Sequence, residues 1–223
     1  AVGAGASWYG VPVDGFQSAA QLTAVTAAMT PVDTGEAGCA EATTVLTKQQ
    51  PGVQQMERVQ TENGYMYYAY SASMAEKGRN CVYVFEASSN RQQPLTVIEN
   101  VAPAQATLQG AIAHGERLAI LARGENCTYL RIYSIAEPTK PVLLSAIEQS
   151  GACVQAGLVG ENVYVLSHFV FDPKAEQSVP ALTVNGETHR ALPEHIVRLA
   201  GANQAQYTVL GTVDVQTGKA AED

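Results

Sequence analysis

From Val53 onward the apolar residues follow a period of two, in short runs cut by clusters of Gly, Asn and Pro. Such alternation marks strands, because successive side chains leave an extended backbone on opposite sides. Tyr65-Met66-Tyr67-Tyr68-Ala69-Tyr70, just after the turn signal Asn63-Gly64, is the most aromatic of these runs. Cys81 to Phe85, Leu95 to Ile98, Leu118 to Leu121, Tyr129 to Tyr133, Val142 to Ile147 and Val163 to Ser167 continue the series. Their β-branched and aromatic content suits a pleated, half-buried surface. Between Phe169 and Gln206 lies a long insertion, and its Leu182–Thr188 stretch reads as a small hairpin about Asn185-Gly186.

Helical spacing is found only before this region. Ser18 caps a segment in which Leu22, Val25 and Met29 share a face after Phe16. The segment ends at Thr30-Pro31, since a residue before proline is pushed out of the helical region. This short helix is expected to cover a sheet edge, and residues 32–38 are expected to form a polar loop.

An internal repeat organises the strands. Asn80-Cys81-Val82-Tyr83 returns as Asn126-Cys127-Thr128-Tyr129, and each copy leads to a strand, a turn closed by proline (Pro94, Pro141) and a second apolar strand. His114-Gly115-Glu116-Arg117-Leu118 returns as Val159-Gly160-Glu161-Asn162-Val163. A period in the mid-forties holding four short strands is what propeller blades require. The inner strand precedes the Gly-Glu turn, the second follows it, the third starts at the repeated cysteine and the fourth follows the proline. The expected fold is therefore all-β, with propeller-like blades of antiparallel four-stranded meanders and a short N-terminal helix. Residues 1–38 form the tail, helix and loop. Residues 39–223 form a partial β-propeller of about three blade-like units, with the insertion at 169–206.

The succession VYVFEAS, LRIYSIAEPTKPVLLSAI, GLVGENVYVLSHF, SVPALTVNGETHRALPEHIVRL and QYTVLGTVDVQTGK resembles one family. It is that of bacterial secreted proteins with a C-terminal β-propeller domain distantly related to WD-type repeats. FQSAAQL is similar to the short helix that precedes the propeller there, so the resemblance spans most of residues 16–219. It implies an exported or membrane-anchored propeller and offers no catalytic residue to carry over. Three units are fewer than the four that close a ring. Self-association, cover by the N-terminal segment around Leu22 and Val45-Leu46, or further blades are the expected ways to close it.

Composition narrows the function. Hydrophobic residues at 46% and charged residues at 15% exclude a disordered chain. A net charge of −8 with scattered basic residues argues against nucleic acid as a partner. The uncharged, small-residue start AVGAGASWYG is compatible with the outer end of a signal or anchor segment upstream of residue 1, or with a disordered tail. Cys39, Cys81, Cys127 and Cys153 lack CxxC spacing, so zinc is not expected. In an oxidising compartment they are expected to pair as Cys127 with Cys153 and Cys39 with Cys81, because the turn into the third strand meets the link to the next blade. The other reading is four reduced, half-buried thiols.

No catalytic or cofactor-binding motif emerges. Glu187, His189, Glu194 and His195 crowd the insertion without HExxH spacing and read as solvated side chains, while His168 ends an apolar strand. Tyr65, Tyr67, Tyr68 and Tyr70 are the candidate ligand-binding residues, for a protein or a glycan, against the competing reading of packing between blades. The expected function is an extracytoplasmic scaffold or binding module. A propeller-borne polysaccharide hydrolase or lyase, with part of its site in further blades, is the alternative.

Overall fold

In the computed structural model, residues 8–13, 53–71, 79–88, 93–170, 179–191, 197–198 and 206–220 are described. Every regular element among them is a strand. β1 (Trp8–Val13) and β2 (Val53–Gln55) precede three blades. Blade one holds β3 (Val59–Glu62), β4 (Tyr65–Tyr70), β5 (Cys81–Glu86) and β6 (Thr96–Glu99). Blade two holds β7 (Thr107–His114), β8 (Arg117–Arg123), β9 (Cys127–Ser134) and β10 (Val142–Ser150). Blade three opens with β11 (Ala152–Val159) and β12 (Asn162–Val170). After β13 (Ala181–Val184), β14 (Glu187–Arg190) and β15 (Val197–Arg198), it resumes with β16 (Gln206–Asp214). The helix expected near Ser18 lies outside the described residues, as do Leu22 and Val45-Leu46.

The strands of blades one and two pair as antiparallel meanders in chain order. The turns obey local chemistry. Asn63-Gly64 and Asn185-Gly186 both take positive φ, the geometry of a two-residue turn that matches strand twist. The repeat extends to irregularities: β7 slips register between Leu108 and Gly110, and β11 slips between Cys153 and Gln155, the corresponding place. A bulge re-aims a strand, so each inner strand bends at the same point.

The reason for the repeated Asn-Cys lies in the link between blades. The Asn80 carbonyl accepts from Val101 N at 3.1 Å, and the Asn126 carbonyl accepts from Gly151 N at 2.9 Å. Each pins the connector to the next blade against the start of the third strand. Asn80 Nδ2, fully buried, also donates to the carbonyls of Pro103 (2.6 Å) and Ala106 (2.9 Å).

Blade two sits between the others. Leu118, Ile120, Ala122 and Tyr133 face blade one's Tyr67, Ala69, Val82 and Val84. Ala119, Leu121, Leu130 and Ile132 face blade three's Val163, Val165, Val209 and Val213. β8 therefore lacks burial alternation: all five residues from Leu118 to Ala122 are buried. Each leucine, isoleucine or valine among these contributes about 1.5–3 kcal/mol on burial, so these two layers hold the stack together.

Two departures from the expected blade plan involve the N-terminal part. The tail read as lacking strands supplies β1, which runs parallel to β16 from Trp8↔Gln206 to Val13↔Gly211. Blade three thus takes its outer strand from the other end of the chain, and β1 is capped in turn by β15. The second concerns β2, which pairs with β11 at Gly157↔Gln55 and Val159↔Val53. Glu57 then bridges to Ala111 of β7. This strap shields the inner edges of blades three and two before the chain enters blade one. The insertion contributes the hairpin β13–β14, which joins the outer edge of blade two at Ile147↔Val184.

Candidate functional site

Period two divides the tyrosines of β4 between its faces. Tyr67, 1% exposed, lies in the core between blades one and two, and Tyr65 packs against that core. Burial, then Tyr65 and Glu62, push the Tyr67 hydroxyl up to about 12. Neither residue belongs to an open surface, so the four tyrosines do not form one site. Tyr68 and Tyr70 point the other way. There they meet two rings of β5 that the sequence reading left out, Tyr83 and Phe85.

The four rings form a continuous ladder. Tyr68 and Tyr70 lie 5.8 Å apart between centroids, Tyr70 and Tyr83 stand edge to face at 5.9 Å, and Tyr83 and Phe85 follow at 6.5 Å. These are the separations at which aromatic pairs attract. Cross-strand pairing sets the order: Tyr68 opposes Tyr83, and Met66 opposes Phe85. Met66, half-buried, and Val59, 40% exposed and opposite Tyr68, widen the face. The Arg79–Glu99 ion pair, at 3.1 Å, lies toward the Cys81 end of the sheet. The result is an uncharged aromatic surface with an ion pair of both signs at one end.

The repeat shows what such a face does. With Cys81 aligned on Cys127, Tyr83 corresponds to Tyr129 and Phe85 to Arg131. Their strand partners Tyr68 and Met66 correspond to Ala122 and Ile120. In blade two, Ile120, Ala122 and Tyr129 all pack against blade one. The ladder of blade one is thus the equivalent of a surface that, one blade later, is a blade-to-blade interface.

The other candidates are dispersed. Glu187 and His189 are exposed on β14, and Glu194 and His195 lie outside the described residues. No group of three His, Cys, Asp or Glu side chains with metal-binding geometry occurs among the described residues. Cys81, Cys127 and Cys153 carry free thiols, and Cys39 lies outside the described residues, so the pairing of Cys127 with Cys153 is not formed. The backbones do approach, as Asn126 bonds Gly151, but the side chains serve different layers. Cys153 lies in the core between blades two and three. Cys127 shares the face of Tyr129 and Arg131, which looks toward blade one. Burial, then the neighbouring Glu148, pushes the Cys127 thiol up to about 11, and burial does the same to Cys153. A thiol held protonated is a poor nucleophile.

Comparison with known proteins agrees with this architecture. The family model described as "Beta propeller domain" matches residues 47–223. No curated protein and no solved structure matches the chain. The repeat, the stacked antiparallel blades and this match together show that the chain belongs to the β-propeller domain family.

Proposed function

We propose that this propeller domain is a protein-interaction scaffold whose docking surface is the aromatic face of blade one. The observation that carries the reading is the correspondence of Tyr68, Tyr83 and Met66 to residues already packed between blades one and two. A face shaped to receive a sheet is complementary to polypeptide side chains. Aromatic residues with few charges are also what interface centres contain. A sugar-binding role for Tyr68 and Tyr70 would need polar groups interspersed among the rings, and the centre of this face has only the tyrosine hydroxyls. The same proposal places the domain outside the cytoplasm, which the resemblance of its strand succession to exported propeller proteins supports.

A photoreactive phenylalanine analogue at position 70 tests the reading in the cells that make the protein. Crosslinks to polypeptide, with a shift to higher mass on a denaturing gel, are expected. Crosslinks confined within a single copy of the chain, with no shift in mass, or binding of soluble oligosaccharide that Tyr70→Ala abolishes, would contradict it.

A further inference from the structure

β10 opens with three consecutive apolar side chains, Val142, Leu143 and Leu144, that are 58%, 48% and 39% exposed. Period two hides every other residue of a half-buried strand, so such a run needs a cause. The register of β10 against β9 slips between Leu143 and Ser145, and this bulge breaks the alternation. The outer edge of the strand is open at the same place. β13 pairs with that edge from Ile147 to Gln149, and Asn185 bonds Ala146 through both its N–H and its Oδ1. Among the described residues, no strand continues this cover over Val142 to Ser145. Glu137 and Lys140, just before the strand, satisfy each other at 2.6 Å, so the exposed run itself is uncharged.

A segment of matching chemistry starts close by. β1 ends at Val13, opposite Gly211 of β16. After β16 the chain turns back over Asp214 to Lys219. Gly218 of that turn meets β10, where a Cβ on it would lie 2.8 Å from the Cβ of Ser145, the residue after Leu144. Residues 16–29 follow β1 almost at once and lie outside the described residues. The sequence carries no charge from Gly15 to Val32, and Leu22, Val25 and Met29 recur at helical spacing. As a helix, Leu22 to Met29 spans about 10 Å, close to the length of the exposed run. Five extended residues from Val13 to Ser18 reach about 16 Å, enough to pass the turn at Gly218.

We propose that residues 16–29 dock as an amphipathic helix along the open edge of β10, with Leu22, Val25 and Met29 against Val142, Leu143 and Leu144. Joining two uncharged surfaces strands no charge. The helix also shields a strand edge that would otherwise accept another chain. This contact is independent of the aromatic face of blade one.

Hydrogen exchange on the full chain, read peptide by peptide, tests the contact from both sides. Residues 18–29 should be protected in the wild type. Leu143→Glu alters a side chain already half in water, so the blades should keep their protection while exchange within residues 18–29 rises by about tenfold or more. Leu22→Glu should in return raise exchange within residues 142–145 by about the same factor. Unprotected residues 18–29 in the wild type, or protection at either segment that ignores the change at the other, would overturn the proposal. A photoreactive phenylalanine analogue at position 144 checks the contact without adding a charge. Crosslinks to residues 16–29 of the same copy, with no shift in mass, are expected. Crosslinks to a second polypeptide, or only to other parts of the chain, would overturn it.

Discussion

Gln149 Nε2 donates to Ser167 Oγ at 2.8 Å inside the largely apolar layer between blades two and three. Ser167 Oγ in turn donates to Ser150 O at 2.6 Å, so the hydroxyl is used in both directions. The two amide hydrogens of Gln149 are shared with Val165 O and Val209 O, each at 3.2 Å. A polar group buried this deeply is costly without partners, and here its donors all have them. Gly211 lies against the same amide: a Cβ there would run into Gln149 Oε1. The clasp thus fixes how β10 sits across β12 and β16.

Truncating Gln149 should loosen the stack more than its modest size suggests. Gln149→Ala leaves a cavity and a buried serine without its donor, at a cost of about 2 kcal/mol. For a domain this long that lowers Tm by about 4–8 °C. Gly211→Ala should have a similar effect by displacing the amide. A shift below about 1 °C for both, by calorimetry, would mean the clasp does not contribute.

Gly110 is expected to control the axial strap. A Cβ at this position would lie 2.9 Å from both N and O of Glu57, and backbone cannot swing aside as a side chain can. The two bonds between Glu57 and Ala111, at 3.1 and 2.7 Å, depend on that close approach. Gly110→Ala should cost about 1–3 kcal/mol. It should also raise hydrogen exchange at the Glu57 and Ala111 amides, with the outer strands unaffected. Unchanged protection there would show that the strap does not rely on Gly110.

The two repeated asparagines should respond differently to the same change. Asn80→Asp replaces a donor facing two carbonyls with a carboxylate oxygen, and should cost about 3 kcal/mol. The side chain of Asn126 is exposed and its carbonyl makes the link, so Asn126→Asp should cost less than about 0.5 kcal/mol. Urea unfolding of the pair measures both. Equal losses would refute this account of the repeat.

Alkaline pH should weaken the fold through groups that hold their protons more tightly when folded. Tyr67 is pushed up to about 12, and Cys127 and Cys153 to about 11, in each case first by burial. A raised folded value contributes stability that is complete below the unfolded value, about 8.5 for a thiol and 10 for a phenol. That stability drains away as pH climbs through the folded value. Tm should stay level for these groups below about pH 8 and fall steadily from about pH 9 toward 12. Replacing both cysteines by alanine should flatten the first part of the decline. An unchanged slope in that variant would assign it to other groups.

Much of the architecture was legible because blade chemistry is local. Gly115 and Gly160 mark the same turn by their position in the repeat, and both take positive φ. Cys81 and Cys127 mark the same strand start because the connector must be pinned there. β1 was not legible, since Trp8–Val13 is a short run whose partner β16 lies about two hundred residues away, and nothing local encodes that pairing. Within β4, alternation separates Tyr67 from Tyr68 but does not say which of them meets the next blade. Tyr83 and Phe85 join the ladder only through the register between β4 and β5, which the sequence of either strand alone does not contain.

The central claim is that blade one's aromatic face is an interface while the opposite face of the same strand is core. Tetranitromethane nitration of the tyrosines, read by peptide mass spectrometry, addresses it most directly. With the polypeptide partner bound, Tyr67, Tyr68 and Tyr70 should all be protected. In the isolated chain Tyr68 and Tyr70 should become reactive, by about tenfold or more for a ring open to solvent, while Tyr67 stays protected behind blade two. Equal reactivity of Tyr68 and Tyr70 in both forms, or exposure of Tyr67 together with them, would contradict the account.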